Sequence, residues 1–371
     1  MNSTPSPDIA DVNRLAGEQM EKGIALIQGS GAPEDLREAL RCFDEAIALR
    51  RDLPLAENPE FRYGLAAGWI NRADVLMRLG GQEGLAEAVS AYTKGIELLD
   101  KPPADDAGGS FAIRLAIAWM NRGVALEAQR DNAGLAEAAR SYREAIRELE
   151  GAGPLADDRA VLVLASAWTN LGNVSLRQQD GPPPAQTCEA VEKALALLVG
   201  SEATELPAAE AGLKARHILC QGVTIMLAAG LPDPERTMDW IDKMTDTVEA
   251  GLNLELLWEK AGVTSLLPMA PPFYHLGALL YERHQPHFLV EFLMEHLESR
   301  AGLPGGDGVW LEIASASLAR ARRGLMEGDF AALATEGGVA KLRLLSEIRE
   351  ADERIQALRQ RAHQAPTGTL A

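Results

Sequence analysis

Aromatic side chains are scarce in this chain, at 5% of its 371 residues. So few rings cannot fill a core, and the interior must be built from Ala, Leu, Ile and Val. The apolar fraction of 47% is a globular one. Cysteine is scarcer still. Cys42, Cys188 and Cys220 lie far apart, without the paired spacing of a disulfide framework or a zinc site, and read as small buried residues in a reducing compartment. Long apolar runs are missing. Leu266–Ala270 and Leu276–Tyr281 fall far short of the ~20 residues a membrane span needs. No basic segment leads into an apolar one, so no secretory signal is expected and the cytoplasm is the expected compartment. Positive charge is in deficit. A formal net charge of −18 repels phosphate backbones, which argues against a nucleic-acid partner. The one basic cluster, Arg320 to Arg323, is short enough to be a solvated helix face.

What the chain does have is internal repetition. Three segments read Ala-Ala-Gly-Trp-Ile-Asn-Arg-Ala (66–73), Ala-Ile-Ala-Trp-Met-Asn-Arg-Gly (116–123) and Ala-Ser-Ala-Trp-Thr-Asn-Leu-Gly (165–172). Each closes on a small residue: Ala73, Gly123 and Gly172. Fifty residues before Ala73 stands Gly23, and fifty after Gly172 stands Gly222. Five units share this register. After each small residue a second signal recurs: small, then large four on, then small three on. The instances are Ala39/Phe43/Ala46, Ala88/Tyr92/Gly95 and Ala138/Tyr142/Ala145, with weaker forms at Thr187/Val191/Ala194 and Thr237/Ile241/Met244. Spacings of four and three place the three residues on one helical face. Each unit therefore reads as helix A, turn, helix B, with small residues permitting close approach and the large one filling the gap. Runs of β-branched residues are almost absent, so no sheet is expected.

Trp168, Asn170, Leu171, Gly172 and Asn173, followed by a turn and the small–large–small face, resemble the tetratricopeptide (TPR) repeat, and Trp69 and Trp119 match the same position. The resemblance covers roughly residues 16–250. It implies an all-α fold: a right-handed α-solenoid of TPR-like helix-turn-helix units, with long inter-unit loops and a divergent C-terminal helical region. The period near 50 departs from the family's usual value of about 34. Most of the excess sits in Arg51–Asn58, Asp100–Gly109, Gly151–Asp158 and Gly200–Leu206, stretches that hold Pro, Asp and Gly as loops do. Asn58-Pro59-Glu60 and Asp233-Pro234-Glu235 are helix-start signals. The expected organisation is a disordered tail at 1–12, an array of about five units at 13–252, degenerate repeat and capping helices at 253–363, and a disordered tail at 364–371. The helix near 338–362 carries Leu344, Ile348, Ala351, Ile355 and Leu358 in four–three alternation. That face caps the array or pairs with a second chain.

Candidate chemistry is thin. His275, His284, His287 and His296 lie close together, but Pro286 breaks the helix between them, and a solvated turn explains them better than a metal site. Asp105-Asp106 and Asp157-Asp158 stand before helices, where N-capping accounts for them. Gly305-Gly306-Asp307-Gly308 lacks the Lys and the strand of a phosphate loop. No Gly-x-Ser-x-Gly elbow is present. No catalytic residue, cofactor or metal is assigned, and the chain is not expected to be an enzyme. An enzyme with an unrecognised site in the C-terminal region is the remote alternative.

The candidate binding residues are Asn71, Asn121 and Asn170, which hold one position in successive units. An Asn inside a helix costs a few tenths of a kcal/mol relative to Ala, so its recurrence needs a reason. In TPR proteins this position faces the concave groove formed by the A helices. The resemblance implies an amide ladder reading the backbone of an extended peptide; the rival is an inter-repeat hydrogen bond. Asn173, one turn along, extends the ladder, while Glu21 and Cys220 interrupt it in the outer units. Arg72 and Arg122 either reach the groove as anion hooks or snorkel out of the core. The three tryptophans are expected to wedge between helices A and B. The resulting expectation is a scaffold or adaptor with a protein or peptide partner; a peptide-sensing regulator is the alternative. A homodimer or a place in a larger complex stays open.

Overall fold

A computed structural model describes residues 8–29, 31–99, 110–153, 157–178, 181, 183–202, 204–228 and 338–364, with isolated helical positions at 250, 315, 318, 319, 322, 323 and 326. Among the described residues every regular element is an α-helix. They are α1 (Ile9–Gln28), α2 (Pro33–Arg50), α3 (Pro59–Leu79), α4 (Gln82–Leu98), α5 (Ser110–Ala128), α6 (Asn132–Gly151), α7 (Asp158–Arg177), α8 (Pro184–Leu198), α9 (Leu206–Ala228) and α10 (Gly338–Gln364). No helix among them is long and apolar enough to cross a membrane. The histidine cluster, Asp105-Asp106, Thr237/Ile241/Met244 and Gly305–Gly308 lie outside the described residues.

Local chemistry sets the helix ends. The side chain of Asn58 accepts from Glu60 N at 2.9 Å, with Pro59 at the first helical position of α3. Asp157 accepts from Arg159 N at 2.8 Å at the start of α7, and Asp131 from Gly134 N at 2.5 Å at the start of α6. Such caps contribute about 1 kcal/mol each. The α3–α4 turn is only Gly80 and Gly81, at φ +73° and +83°. Two successive left-handed residues are available cheaply only to glycine.

The chain forms two compact units, Met1–Pro182 and Pro183–Ala371. In the first, α1–α2, α3–α4 and α5–α6 are hairpins, and each odd helix also packs on the even helix before it. The odd helices meet in series, α1 with α3, α3 with α5 and α5 with α7, whereas no comparable packing joins the described even helices to one another. The odd helices therefore form the inner side of a curved stack, an α-solenoid. In the second unit α8 packs on α9, and Thr187, Val191 and Ala194 are buried as their spacing requires. Ile348, Ala351 and Ile355 of α10 are buried within the single chain. The side chains of Leu344 and Leu358 are not among those described.

The wedge inside each hairpin is a ring from the even helix. Phe43, Tyr92 and Tyr142 are 0%, 1% and 0% exposed, and burial of such a side chain contributes roughly 1.5–3 kcal/mol. Opposite each stands the small residue of the register. A Cβ on Gly23 would lie 2.6 Å from Phe43 Cε1, and one on Gly123 the same distance from Tyr142 Cε1. The tryptophans do not fill this wedge. Trp69, Trp119 and Trp168 are only half-buried. Trp69 and Trp119 pack on the edge of their clusters, and cations sit over their rings: Lys94 Nζ lies 4.2 Å from the Trp69 centroid and the Arg122 guanidinium 5.7 Å from that of Trp119. The smaller ring fits between two helices, and the larger one is left at the rim.

Candidate functional site

The repeated asparagines lie on the inner, odd-helix side, and they do not share one environment. Asn121 of α5 donates from Nδ2 to Asp74 Oδ1 of α3 at 3.2 Å. The same oxygen accepts the hydroxyl of Tyr92 from α4. One unit on, the arrangement returns, displaced by a helical turn. Asn173 of α7 donates from Nδ2 to Glu127 Oε1 of α5 at 2.8 Å, and the Arg177 guanidinium joins it at that oxygen. Tyr142 of α6 donates to the other oxygen, Glu127 Oε2, at 3.0 Å. Asn170 is buried in α7, 6% exposed. Asn71 is half-buried and makes no side-chain hydrogen bond to another described residue. The position corresponding to Asp74 in the unit before it is Ile24, which has nothing to offer an amide.

The arginines are engaged on the other side of the odd helices. Arg72 Nε donates to Asp44 Oδ1 of α2 at 2.7 Å, and its Nη2 to Glu87 Oε2 of α4 at 3.0 Å. Arg122 Nε donates to Thr93 Oγ1 of α4 at 3.0 Å, its Nη1 to Ser141 Oγ of α6 at 2.7 Å, and its Nη2 lies 3.7 Å from Glu137 Oε2. The two ties are the same tie. Asp44 and Thr93 each follow the wedge ring of the preceding unit, and Glu87 and Glu137 each stand five residues before the ring of their own. In the fourth unit Leu171 takes the arginine's place, and the acceptor's place holds Arg143, which is exposed. Both halves of the tie have changed together. Neither arginine is an open hook for an anion.

Electrostatics follow burial. Burial raises the pKa of Asp74, against the opposing hydrogen bonds of Tyr92 and Asn121. It also pushes the Tyr92 and Tyr142 phenols well above their ordinary range, and the neighbouring carboxylates add to this. Burial depresses Arg122. For Arg72 burial pulls down, but the bonds to Asp44 and Glu87 outweigh it and the net shift is upward. The Cys188 thiol is pushed up to about 12 by burial, and that of Cys42 is raised for the same reason. Cys42, Cys188 and Cys220 are free thiols and buried. Among the described residues no group of three His, Cys, Asp or Glu side chains could hold a metal ion.

The acceptors on which these contacts converge, Asp74 and Glu127, stand at different register positions and so do not recur as a repeated residue. A signal was present. Where the wedge ring carries a hydroxyl, at Tyr92 and Tyr142, the odd helix supplies a carboxylate; where the ring is Phe43, its neighbour is Ile24.

Paired helices sharing one register, one wedge and one set of ties leave a single description. The chain is a helical repeat protein. No family model matches the repeat chain, and no curated protein matches it. Among solved structures it is similar to a de novo designed helical repeat protein, with 19% identity and a TM-score of 0.31, over 63% of this chain and 100% of that one. It is also similar to a circular tandem repeat protein with novel repeat topology and enhanced subunit contact surfaces, with 16% identity and a TM-score of 0.36, over 96% of this chain and 91% of that one.

Proposed function

We propose that this helical repeat is a non-catalytic protein-interaction module of the tetratricopeptide kind, and that an extended peptide or a segment of a partner protein lies along the odd-helix side of the first unit. The observation that carries the reading is the contact of α1, α3, α5 and α7 in series. It brings residues far apart in sequence to one side of the stack, which supports a shared binding face there, as stacked arrays commonly present one. On the third odd helix that surface carries Val124, 38% exposed and at the register position that Asp74 and Asn173 hold in the neighbouring units. Asn71 offers a donor and an acceptor with no internal partner among the described residues.

In this reading the partner is held by apolar contact around Val124 and by backbone hydrogen bonds to Asn71. Asn121, Asn173, Arg72 and Arg122 position the helices and do not touch the partner. Such a module works as an adaptor or as a subunit of a larger assembly.

The test is a peptide array probed with the full-length protein, followed by titration of the best binder. Val124→Glu and Asn71→Ala should each weaken binding at least tenfold without moving the melting temperature. Arg143→Glu, on the even helices, should leave binding unchanged. Equal binding by the Val124→Glu protein would end the proposal.

A further inference from the structure

At the joint where α3 packs on the first helix pair, one position breaks the repeat. Arg50 ends α2, seven residues after the wedge ring Phe43. The same place after Tyr92 and Tyr142 holds Leu99 and Leu149, which are buried. The neighbours of this position change with it. Gly64 of α3 corresponds to Arg114 and Val163 in the later odd helices, and Asn13 of α1 to Tyr63 and Ile113. A side chain has been removed on one flank, and an amide put in place of a larger group on the other.

The half-buried guanidinium of Arg50 lies on the backbone of Gly64, where a Cβ would sit 2.8 Å from both Cζ and Nε. Nη1 donates to the Gly64 carbonyl at 3.1 Å, and Nε to Asn13 Oδ1 at 3.2 Å. Both acceptors are neutral. Arg50 makes no ion pair with a described residue, and burial lowers its pKa with no neighbouring charge to offset it. The last turn of a helix suits a cation, but that explains neither the space cleared by Gly64 nor the missing anion. Arg50 Nη2 and Asn13 Nδ2 make no hydrogen bond to a described residue, and neither is shut off from solvent.

We propose that Arg50 and Asn13 form a carboxylate-binding site in the cleft between α1 and α3. Nη2 supplies a charge-assisted donor and Asn13 Nδ2 a neutral one. The ligand completes the ion pair that the chain leaves unmade. A single guanidinium in a chain of net charge −18 suits a monovalent carboxylate better than a phosphate dianion. The carboxylate belongs to an acidic side chain of a peptide or to a free small acid, which present the same two oxygens. It can bind whether or not a peptide lies along the odd helices.

Side-chain NMR of the arginine Nε–H groups tests this in the full-length protein near neutral pH. Sodium acetate is titrated against sodium chloride of equal ionic strength. The Arg50 signal should move saturably with acetate, at least threefold further than that of the exposed Arg143, and should not follow chloride. Replacing chloride by acetate at ~100 mM should raise the melting temperature of the wild type by about 2 °C more than that of Arg50→Leu. In chloride Arg50→Leu should melt no lower than the wild type, because leucine holds this place in the later repeats and an uncompensated charge is gone. A blocked tetrapeptide with one glutamate then identifies the source: binding at least tenfold tighter than acetate assigns a peptide side chain, and equal binding a free acid. An Arg50 signal that moves no further than that of Arg143 would overturn the proposal. So would an equal acetate effect on Arg50→Leu, or a loss of more than about 3 °C in that variant in chloride, which would make the arginine a structural strut.

Discussion

The ring of Tyr142 lies against Gly123 so closely that a Cβ on the glycine would sit 2.6 Å from Cε1. The hydroxyl of the same side chain donates to Glu127 Oε2, one turn further along the same helix. Tyr142 is therefore fixed at both ends, and it, rather than the neighbouring tryptophan, carries the hairpin. Tyr142→Ala should cost about 3–5 kcal/mol, the range for emptying a large buried aromatic site. Trp119→Ala should cost less, about 1–2 kcal/mol, because that side chain lies partly exposed at the edge of its cluster. Urea unfolding of both variants decides the order. A greater loss at Trp119 would contradict the wedge described above.

Asn71 and Asn121 hold the same position in the repeat and should behave oppositely. Asn121→Ala removes a donor from the half-buried Asp74 and should destabilise by roughly 1–2 kcal/mol. Asn71→Ala removes no hydrogen bond to a described residue and should shift stability by less than about 0.5 kcal/mol. Melting temperatures of the two single variants are the measurement.

The two arginine ties should respond differently to replacement by leucine, the residue found at position 171. Arg122→Leu frees Thr93 and Ser141, whose hydroxyls also donate to the carbonyls of Val89 and Glu137 at 2.8 and 3.0 Å. Its removal should change stability by less than about 1 kcal/mol. Arg72→Leu leaves Asp44 and Glu87 without their cation, and should cost about 1 kcal/mol at low salt and less in 1 M salt, where screening has already weakened the pairs. A salt-independent loss at Arg72 would show that packing, not charge, holds it.

The three thiols should be inert while the protein is folded. Burial keeps the Cys188 thiol protonated up to about pH 12, and the thiolate is the reactive form. Cys42 and Cys220 are equally enclosed. Titration with a disulfide reagent should consume the thiols only as fast as the protein opens, and all of them promptly in denaturant. Rapid modification of any one in the folded protein would contradict the packing.

Much of the fold could be read from residue order because it rests on periodicity. Gly23, Ala73 and Gly123 announce close helix approach, and Phe43, Tyr92 and Tyr142 announce what fills it; both are properties of a single position. The joints were harder to see. Asp74 and Glu127 perform one task but stand one helical turn apart in the register, as do their amide partners Asn121 and Asn173. A turn is ~5.4 Å along a helix, and the slide leaves the contact intact while it breaks the alignment of positions. The environment of an amide is also set across the stack, by a residue some fifty places away, so that Asn71 and Asn121 look alike in sequence and differ in space. The tryptophans misled for a related reason. Their recurrence marks a conserved place in the unit but not its depth, and depth depends on which ring the opposite helix presents.

The convergence on Glu127 also limits where the polypeptide can be cut. A fragment that stops before Asp158 keeps Tyr142 on that carboxylate and takes away Asn173 and Arg177 together. The acid would be left on a newly bared helix face with one donor in place of three and with its cation gone. A shortened protein ending at that loop would unravel from its new end, although the loop looks like a natural boundary. Fragments made for crystals or binding work should carry α7 through Arg177.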